Sequence, residues 1–307
     1  MLKLILRRLL EAIPTMLVLI TVSFFMMRLA PGNPFSGDKN LSPAIMANIE
    51  AKYHLNDPIW LQYLNYLKQL ILHQDFGPSF KYKDHTINEL LAQNLPVSIE
   101  IGIYAFIIAL IFGLALGILA ALRQNTWIDY SLMTFSMAGV VIPSFVKAPL
   151  LVLLFAVTLK WLPAGGWNEG ALKNLILPLT ALSLSYIASI ARIMRGSMIE
   201  VMNSPFIRTA KAKGLPMHYI VLKHALRPAM LPVISYLGPA FVGIITGSIV
   251  IEAIFGLPGI GKLFVDGALN RDYSLVLSLT ILVGVLTIIF NMIVDILYAL
   301  IDPKIRY

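Results

Sequence analysis

The sequence predicts an all-α integral membrane protein with six transmembrane helices. The chain has 307 residues, of which 58% are hydrophobic and 13% are charged, whereas soluble domains carry about 45–50% apolar and about 25% charged residues. The apolar excess is concentrated in six runs, and a helix needs about 20 apolar residues to cross the hydrocarbon layer. Because backbone polar groups in lipid must be satisfied within their own segment, we expect these runs to be helical.

The six apolar runs divide the chain in order. They cover residues 9–27, 97–122, 131–159, 174–191, 229–251 and 274–301. The first run follows three basic residues and resembles a signal peptide, but no small-x-small cleavage site follows it, so we interpret it as an uncleaved anchor. Residues 1–30 therefore form the N-terminus and first span, and residues 97–307 form a five-span core.

The basic residues predict the orientation of the spans. With the N-terminus inside, the inner segments are 1–8, 123–130, 192–228 and 302–307, and they hold 13 of the 24 Lys and Arg residues. The longer outer segments hold fewer and balance them with acids. Since cytoplasmic loops carry the excess of Lys and Arg, we expect both termini in the cytoplasm.

Residues 31–96 form a long outer segment with its own predicted helices. Ser42-Pro43 and Asp57-Pro58 each have the form of an N-cap followed by proline at the first helical position. The apolar residues of IWLQYLNYLKQLI then recur at helical spacing. We predict two amphipathic helices that end before Phe76; a simple spacer is the alternative.

The inner loop 192–228 is the most strongly charged part of the chain. It holds seven Lys and Arg residues and one acid, Glu200. Within SPFIRTAKAKGLP, Ser204 is placed to cap a helix that starts at Pro205, and Gly214 is placed to end it in a left-handed turn. A helix of two turns is unstable alone and needs a surface to pack on. The stretch therefore predicts a docking helix, although a face for lipid headgroups is the alternative.

The side chains of this short helix suggest how it would dock. Ala210 and Ala212 are small enough to let a partner backbone approach. Arg208 and Lys211 lie three residues apart, so they share one side of a helix and are placed to pair with acids on a partner.

The stretch FIRTAKAKGLP resembles the loop that carries the EAA motif in the membrane subunits of ABC importers, in the variant of the peptide and nickel branch. The resemblance covers the whole chain, including LRRLLEAIPTMLVLITVSFFMMRLAPGNP and IEAIFGLPGIGKLFVDGALNRDYSLV. One departure is that Arg208-Thr209-Ala210 stands in place of Glu-Ala-Ala. The resemblance implies a type I ABC-importer permease core in a bacterial cytoplasmic (inner) membrane, importing oligopeptides.

The resemblance also implies the partners and the coupling residues. The partners would be a second homologous permease subunit, two cytoplasmic ABC ATPases, an extracytoplasmic peptide-binding protein and the lipid bilayer, with no nucleic acid. This chain would bind no cofactor and catalyse no reaction, since ATP and Mg²⁺ would be held by the ATPases. The ATPase-coupling loop would comprise Phe206, Ile207, Arg208, Thr209, Ala210, Lys211, Ala212, Lys213, Gly214 and Leu215.

Residues 256–263, GLPGIGKL, imitate a phosphate-binding loop. They match G-x-x-x-x-G-K but place Leu263 where a Ser or Thr hydroxyl should reach Mg²⁺. The run also lies between two membrane spans and on the predicted outer side, away from cytoplasmic ATP. We therefore interpret it as a turn between the fifth and sixth spans.

Several ionisable residues lie within or beside the spans, where charge is costly and usually faces the bundle interior or water. Lys147, Glu100 and Glu252 are candidates for lining the transport pathway. Lys147 lies between two prolines that predict a bent third span, and it would otherwise snorkel to an interface. The two glutamates would otherwise form interfacial hydrogen bonds.

The sequence predicts ion pairs for two further acids. We expect Glu11 to pair with Arg7, one helical turn away. Near the inner end of the sixth span, Asp295 is predicted to meet Arg192 or Arg195.

Two other classes of function are alternatives to this interpretation. A secondary transporter driven by an ion gradient would favour paired intramembrane acids and an inverted repeat. A membrane-embedded enzyme would need paired carboxylates, a Ser/His set or a metal site, and the five histidines form no H-x-x-x-H pair. Within the resembling family, residue chemistry does not separate a peptide permease from a nickel permease.

Overall fold

The computed structural model describes residues 2–29, 56–82 and 85–301. The regular secondary structure within these ranges is helical, with one isolated antiparallel bridge between Pro78 and Thr86. The helices are α1 Leu2–Leu29, α2 Ile59–Lys68, α3 Ile87–Leu122, α4 Trp127–Val141, α5 Ser144–Leu151, α6 Leu172–Met202, α7 Pro205–Ala212, α8 Met217–Tyr219, α9 Leu226–Ala229, α10 Leu231–Phe255, α11 Ile260–Leu269 and α12 Tyr273–Ile301.

Six membrane spans are formed if one bent pair counts as a single span. Five helices of the described chain, α1, α3, α6, α10 and α12, are long and apolar enough to cross a membrane. The remaining span, the third in chain order, is the pair Trp127–Val141 and Ser144–Thr158, bent by 107°. The bend lies at Ile142-Pro143, because proline lacks an N–H and its ring forces the preceding residue into an extended conformation. The predicted fold class and the bent third span are confirmed.

Two spans are longer than their apolar runs. Helix α3 begins at Ile87 rather than near residue 97, because Thr86 and Glu89 form a capping box there. Helix α6 continues to Met202, so the first eleven residues of the predicted inner loop 192–228 are helical. They remain helical because Met194 and Met198 are buried against neighbouring elements. Apolar runs therefore mark the part of a helix in lipid and miss the part that packs on protein.

The spans define two ends of the bundle. Helices α3 and α6 pack in parallel, and a Cβ at Gly117 would lie 2.6 Å from the carbonyl oxygen of Ala191. Their C-terminal ends lie together beside α7, and we call this the basic end. At the opposite end, the start of α3 contacts α11 through Ser98, whose hydroxyl accepts a hydrogen bond from the backbone N–H of Ile260 at 2.9 Å.

One of the two helices predicted within residues 31–96 is observed. Helix α2 begins at Ile59 and continues as a π-helical turn through His73. It packs on α1 through Phe24, Phe25, Tyr63 and Tyr66, and the Tyr63 and Thr21 hydroxyls are 2.6 Å apart. The predicted helix after Ser42-Pro43 lies outside the described residues.

Candidate functional site

Helix α7 is the two-turn helix that the basic stretch predicts. It starts at Pro205, a first-turn position where the missing N–H costs nothing. The expected cap by Ser204 is wrong: its hydroxyl turns back and donates to the carbonyl of Val201 at 2.6 Å. The start of α7 is therefore fixed by proline and by packing.

The end of α7 is a hydrogen-bonded turn centred on Gly214. Its φ is +77°, and its N–H donates to the carbonyl of Lys211 at 3.0 Å. The next amide, of Leu215, donates to the carbonyl of Ala210 at 3.4 Å, which completes a Schellman motif. A Cβ at Gly214 would meet nothing within 4 Å. The requirement for glycine is thus one of backbone conformation, as the sequence predicted.

Helix α7 has one face buried in this chain and one face exposed. Ile207 and Ala210 are buried in a cluster with residues of α6 and of the segment 220–225. The side chains that point outward are Phe206, Arg208, Thr209, Lys211, Ala212 and Lys213. The suggestion that Ala210 contacts a partner is therefore wrong, because the approach that its small side chain permits is used within the chain.

The exposed face of α7 combines an aromatic ring with positive charge. The Phe206 side chain is 50% exposed, and Arg208 and Lys211 lie on the same outward side. Exposed large aromatics beside cations are typical of interface anchors. The buried side chains of Ile207 and Ala210 fix the helix on the rest of the chain, and its opposite face is exposed to solvent at the basic end.

A buried ion pair joins the bent span to the helix that carries α7. Arg195 of α6 donates from Nε and Nη2 to the two carboxylate oxygens of Asp129 in α4, each at 2.6 Å. Asp129 also accepts from the backbone N–H of Asn125 at 3.0 Å. The sequence did not predict this pair, because it assigned Arg192 or Arg195 to Asp295. Asp295 pairs with Arg8 at 2.8 Å. The expected pair of Arg7 and Glu11 is confirmed at 2.8 Å.

Lys147 stabilises the bend in the third span through hydrogen bonds from its side chain. The carbonyl of Gly139 would normally accept from the residue four positions on, but Pro143 has no N–H to donate. The Lys147 ammonium fills that position, donating to Gly139 O at 2.8 Å and to the hydroxyl of Ser185 in α6. The Lys147 side chain is buried. Its amine therefore meets neither the interface nor an open pathway in this conformation.

Glu252 occupies the turn that imitates a phosphate-binding loop. Its Oε2 accepts from the backbone N–H of Gly261 at 2.7 Å, at the N-terminus of α11. A helix N-terminus favours an anion, and here the carboxylate of α10 already fills that position. A bound phosphate would face this buried carboxylate, which agrees with the interpretation of GLPGIGKL as a structural turn.

The three candidate pathway residues do not converge. Glu100 is half-buried on α3, in a shallow hollow with Ile99, Ile103 and Tyr104. Among the described residues, Glu100, Lys147 and Glu252 form no hydrogen bond or ion pair with one another. Each has its own surroundings, in contrast to the contiguous residues of α7.

Comparison with known proteins places the whole chain in a transport family. Residues 113–307 match the family described as "Binding-protein-dependent transport system inner membrane component", and residues 1–101 match the N-terminal family of the same systems. The oligopeptide transport system permease protein OppB of Salmonella typhimurium is 72% identical over 307 residues, with 100% of both chains covered. The dipeptide transport system permease protein DppB of Bacillus subtilis is 45% identical, covering 95% of this chain and 94% of its own.

Solved structures agree on the fold. An inward-facing structure of the MetNI methionine ABC transporter superimposes with a TM-score of 0.60 at 15% identity, covering 69% of this chain and 96% of the other. An amino acid ABC transporter structure superimposes with a TM-score of 0.55 at 14% identity, over 69% and 94% of the two chains. The chain therefore belongs to the family of inner membrane components of binding-protein-dependent transport systems.

Proposed function

We propose that this chain is a membrane-spanning subunit of an ATP-driven ABC importer that moves oligopeptides inward. The observation that carries the proposal is α7: a short helix with one face buried in its own chain and the other presenting Phe206 and cations. It is supported by the 72% identity to an oligopeptide permease over the full length. The chain itself catalyses no reaction, and ATP with Mg²⁺ is bound by partner ATPases.

The basic end of the bundle is the cytoplasmic end. The inner segments assigned from their basic residues are 1–8, 123–130, 192–228 and 302–307, and two ion pairs support a shared side. Arg195 of the third segment pairs with Asp129 of the second, and Arg8 of the first pairs with Asp295 near the C-terminal end of α12. The end that holds α2 and α11 then faces outward, where a peptide-binding protein delivers substrate.

The structure suggests a route by which movement of α7 reaches the spans. Ile207 shares a buried cluster with Met194 and Met198 of α6, and α7 contacts the segment 220–225, which in turn contacts α6. Helix α6 is in turn joined to α4 by Asp129–Arg195, and across the bend by Lys147 and Ser185. A partner that pulls α7 therefore pulls α6 and, through these two links, both the N-terminal half of the third span and the bend after Pro143.

The partners follow from this assignment. A second homologous permease subunit completes the pore, two ATPases bind at the basic end, and a peptide-binding protein binds at the opposite end. The ion-gradient alternative is not favoured, because it leaves the exposed face of α7 without a role.

Reconstitution of the assembly tests the proposed function. Proteoliposomes that contain this chain, the second permease subunit and the two ATPases should take up a labelled oligopeptide when ATP and the peptide-binding protein are supplied. An imposed proton or sodium gradient without ATP should give no uptake. Gradient-driven uptake by this chain in the absence of ATPases would contradict the proposal.

A further inference from the structure

A cavity of about 420 Å³ lies at the end of the bundle opposite α7. It is lined by the last turn of α1, one face of α2, the segment 76–80 and the start of α12, so it lies beside the spans rather than between α3, α6 and α10. Its volume falls in the range of about 300–1,000 Å³ that is usual for small-ligand sites. The cavity belongs to no element that the coupling route uses.

The charged groups described around this cavity are cationic. Arg28, Lys68 and His73 line it, and the described part of the lining contains no carboxylate. The Arg28 guanidinium lies 5.5 Å from the centre of the Phe24 ring, which orients it. Among the described residues, no acid forms an ion pair with Arg28.

The acids that neighbour the cavity in sequence are engaged elsewhere. Asp75 accepts from the backbone N–H of Gly77 at 2.8 Å. Asp272 accepts from the Ser79 hydroxyl at 2.5 Å and from the Lys81 amide at 3.2 Å. Neither carboxylate lines the cavity, so the charged side chains described in its lining are basic ones.

The remaining lining matches the chemistry of a peptide. The amides of Asn65 and Gln69 each offer a donor and an acceptor to a peptide backbone. Aromatic rings, including those of Phe24 and Tyr66, form apolar walls. A guanidinium binds a carboxylate with two parallel hydrogen bonds, which a simple ammonium does not.

We propose that this cavity binds the carboxyl-terminal end of a short peptide, with Arg28 on the carboxylate and Asn65 and Gln69 on the backbone. It would hold peptide at the outer surface, beside the six-span core. This inference rests on the proposed function, because it takes a peptide to be the transported ligand.

Equilibrium binding of a tripeptide and its amide tests the proposal. The assembly is placed in phosphatidylcholine nanodiscs without the peptide-binding protein, and the probes are Ala-Ala-Phe and its carboxyl-terminal amide. A hydrogen bond to a charged group contributes about 1.5–3 kcal/mol, so the acid should bind at least about tenfold more tightly than the amide. Arg28→Gln should remove that difference, Arg28→Lys should retain part of it, and Lys81→Gln, an exposed control, should leave it unchanged.

Three results would overturn the proposal: no binding of the acid, equal binding of acid and amide, or binding of the acid that Arg28→Gln leaves within twofold. A fourth arm uses phosphatidylglycerol nanodiscs. Competition by this lipid that Arg28→Gln abolishes, with no tripeptide binding in phosphatidylcholine, would assign the cavity to a lipid phosphate instead. ATP-dependent uptake without cavity binding would refute this inference alone, whereas loss of all ATP-dependent uptake by the unmodified assembly would refute the proposed function.

Discussion

The Asp129–Arg195 pair makes an asymmetric prediction. Arg195→Gln leaves the Asp129 carboxylate, which is 1% exposed, with only the Asn125 amide. Asp129→Asn leaves the Arg195 guanidinium, which is 27% exposed and reaches water. Breaking a buried pair from one side costs about 3–5 kcal/mol. We expect Arg195→Gln to fall in that range and Asp129→Asn to cost less, about 2 kcal/mol, because a partly hydrated charge is less penalised.

The double variant separates a buried charge from a lost contact. When Asn and Gln replace both partners, no unpaired charge remains, so the double variant should be more stable than Arg195→Gln alone. The measurement is unfolding in mixed detergent and dodecyl sulfate micelles, followed by circular dichroism at 222 nm. Arg192→Gln is the matched control: it removes an exposed arginine of α6 whose contact is the Met137 sulfur at 4.0 Å, and should be neutral.

The pair also has a functional readout. If α4 moves with α6, Arg195→Gln should lower peptide transport per ATP hydrolysed while the ATPases stay bound. The reasoning would be refuted if Asp129→Asn were as destabilising as Arg195→Gln, or if the double variant were the least stable of the three.

Three other predictions follow from the described contacts. Gly214→Val should weaken the turn that ends α7 by about 1–2 kcal/mol and lower peptide-stimulated ATP turnover. Gly214→Asn should be nearly normal, because Asn tolerates the left-handed conformation. Equal effects of the two substitutions would contradict a backbone requirement. Lys147→Met should reduce transport of acidic, neutral and basic peptides alike, since it loosens the bend; an effect confined to peptides of one charge would instead support pathway lining. Lys262→Ala should leave ATP hydrolysis by the assembly unchanged, and loss of ATP binding in this variant would show that GLPGIGKL holds nucleotide. Glu252→Leu should destabilise the chain by about 1–3 kcal/mol, because it leaves amides of α11 without an acceptor.

Features that depend on a few neighbouring residues were predicted from sequence. The start and end of α7 depend on Pro205 and Gly214, and both lie within the thirteen-residue stretch 204–216. The spans need only hydrophobicity and length. The bend in the third span needs only Pro143 in an apolar run, which sequence supplies directly.

Features that depend on distant residues were missed or mispaired. Arg195 and Asp129 are 66 residues apart, and Lys147 and Ser185 are 38 apart. Sequence shows each as a charge or hydroxyl within or beside a span but does not say which helices are neighbours. The same reason explains Ala210: a small side chain shows that something approaches closely, but not whether that surface belongs to a partner or to the chain itself.

The central claim, that α7 binds an ATPase, is tested most directly by cysteine cross-linking. The chain has no cysteine, so single cysteines can be placed at exposed positions Phe206, Arg208 and Ala212 and at the buried control Ile207. In the assembled complex, short bismaleimide reagents should join the three exposed positions to an ATPase subunit in a pattern that changes with ATP, and should leave position 207 unlinked. The account would be contradicted if no exposed position cross-linked to an ATPase while labels there reported lipid headgroups, because α7 would then lie on the membrane surface.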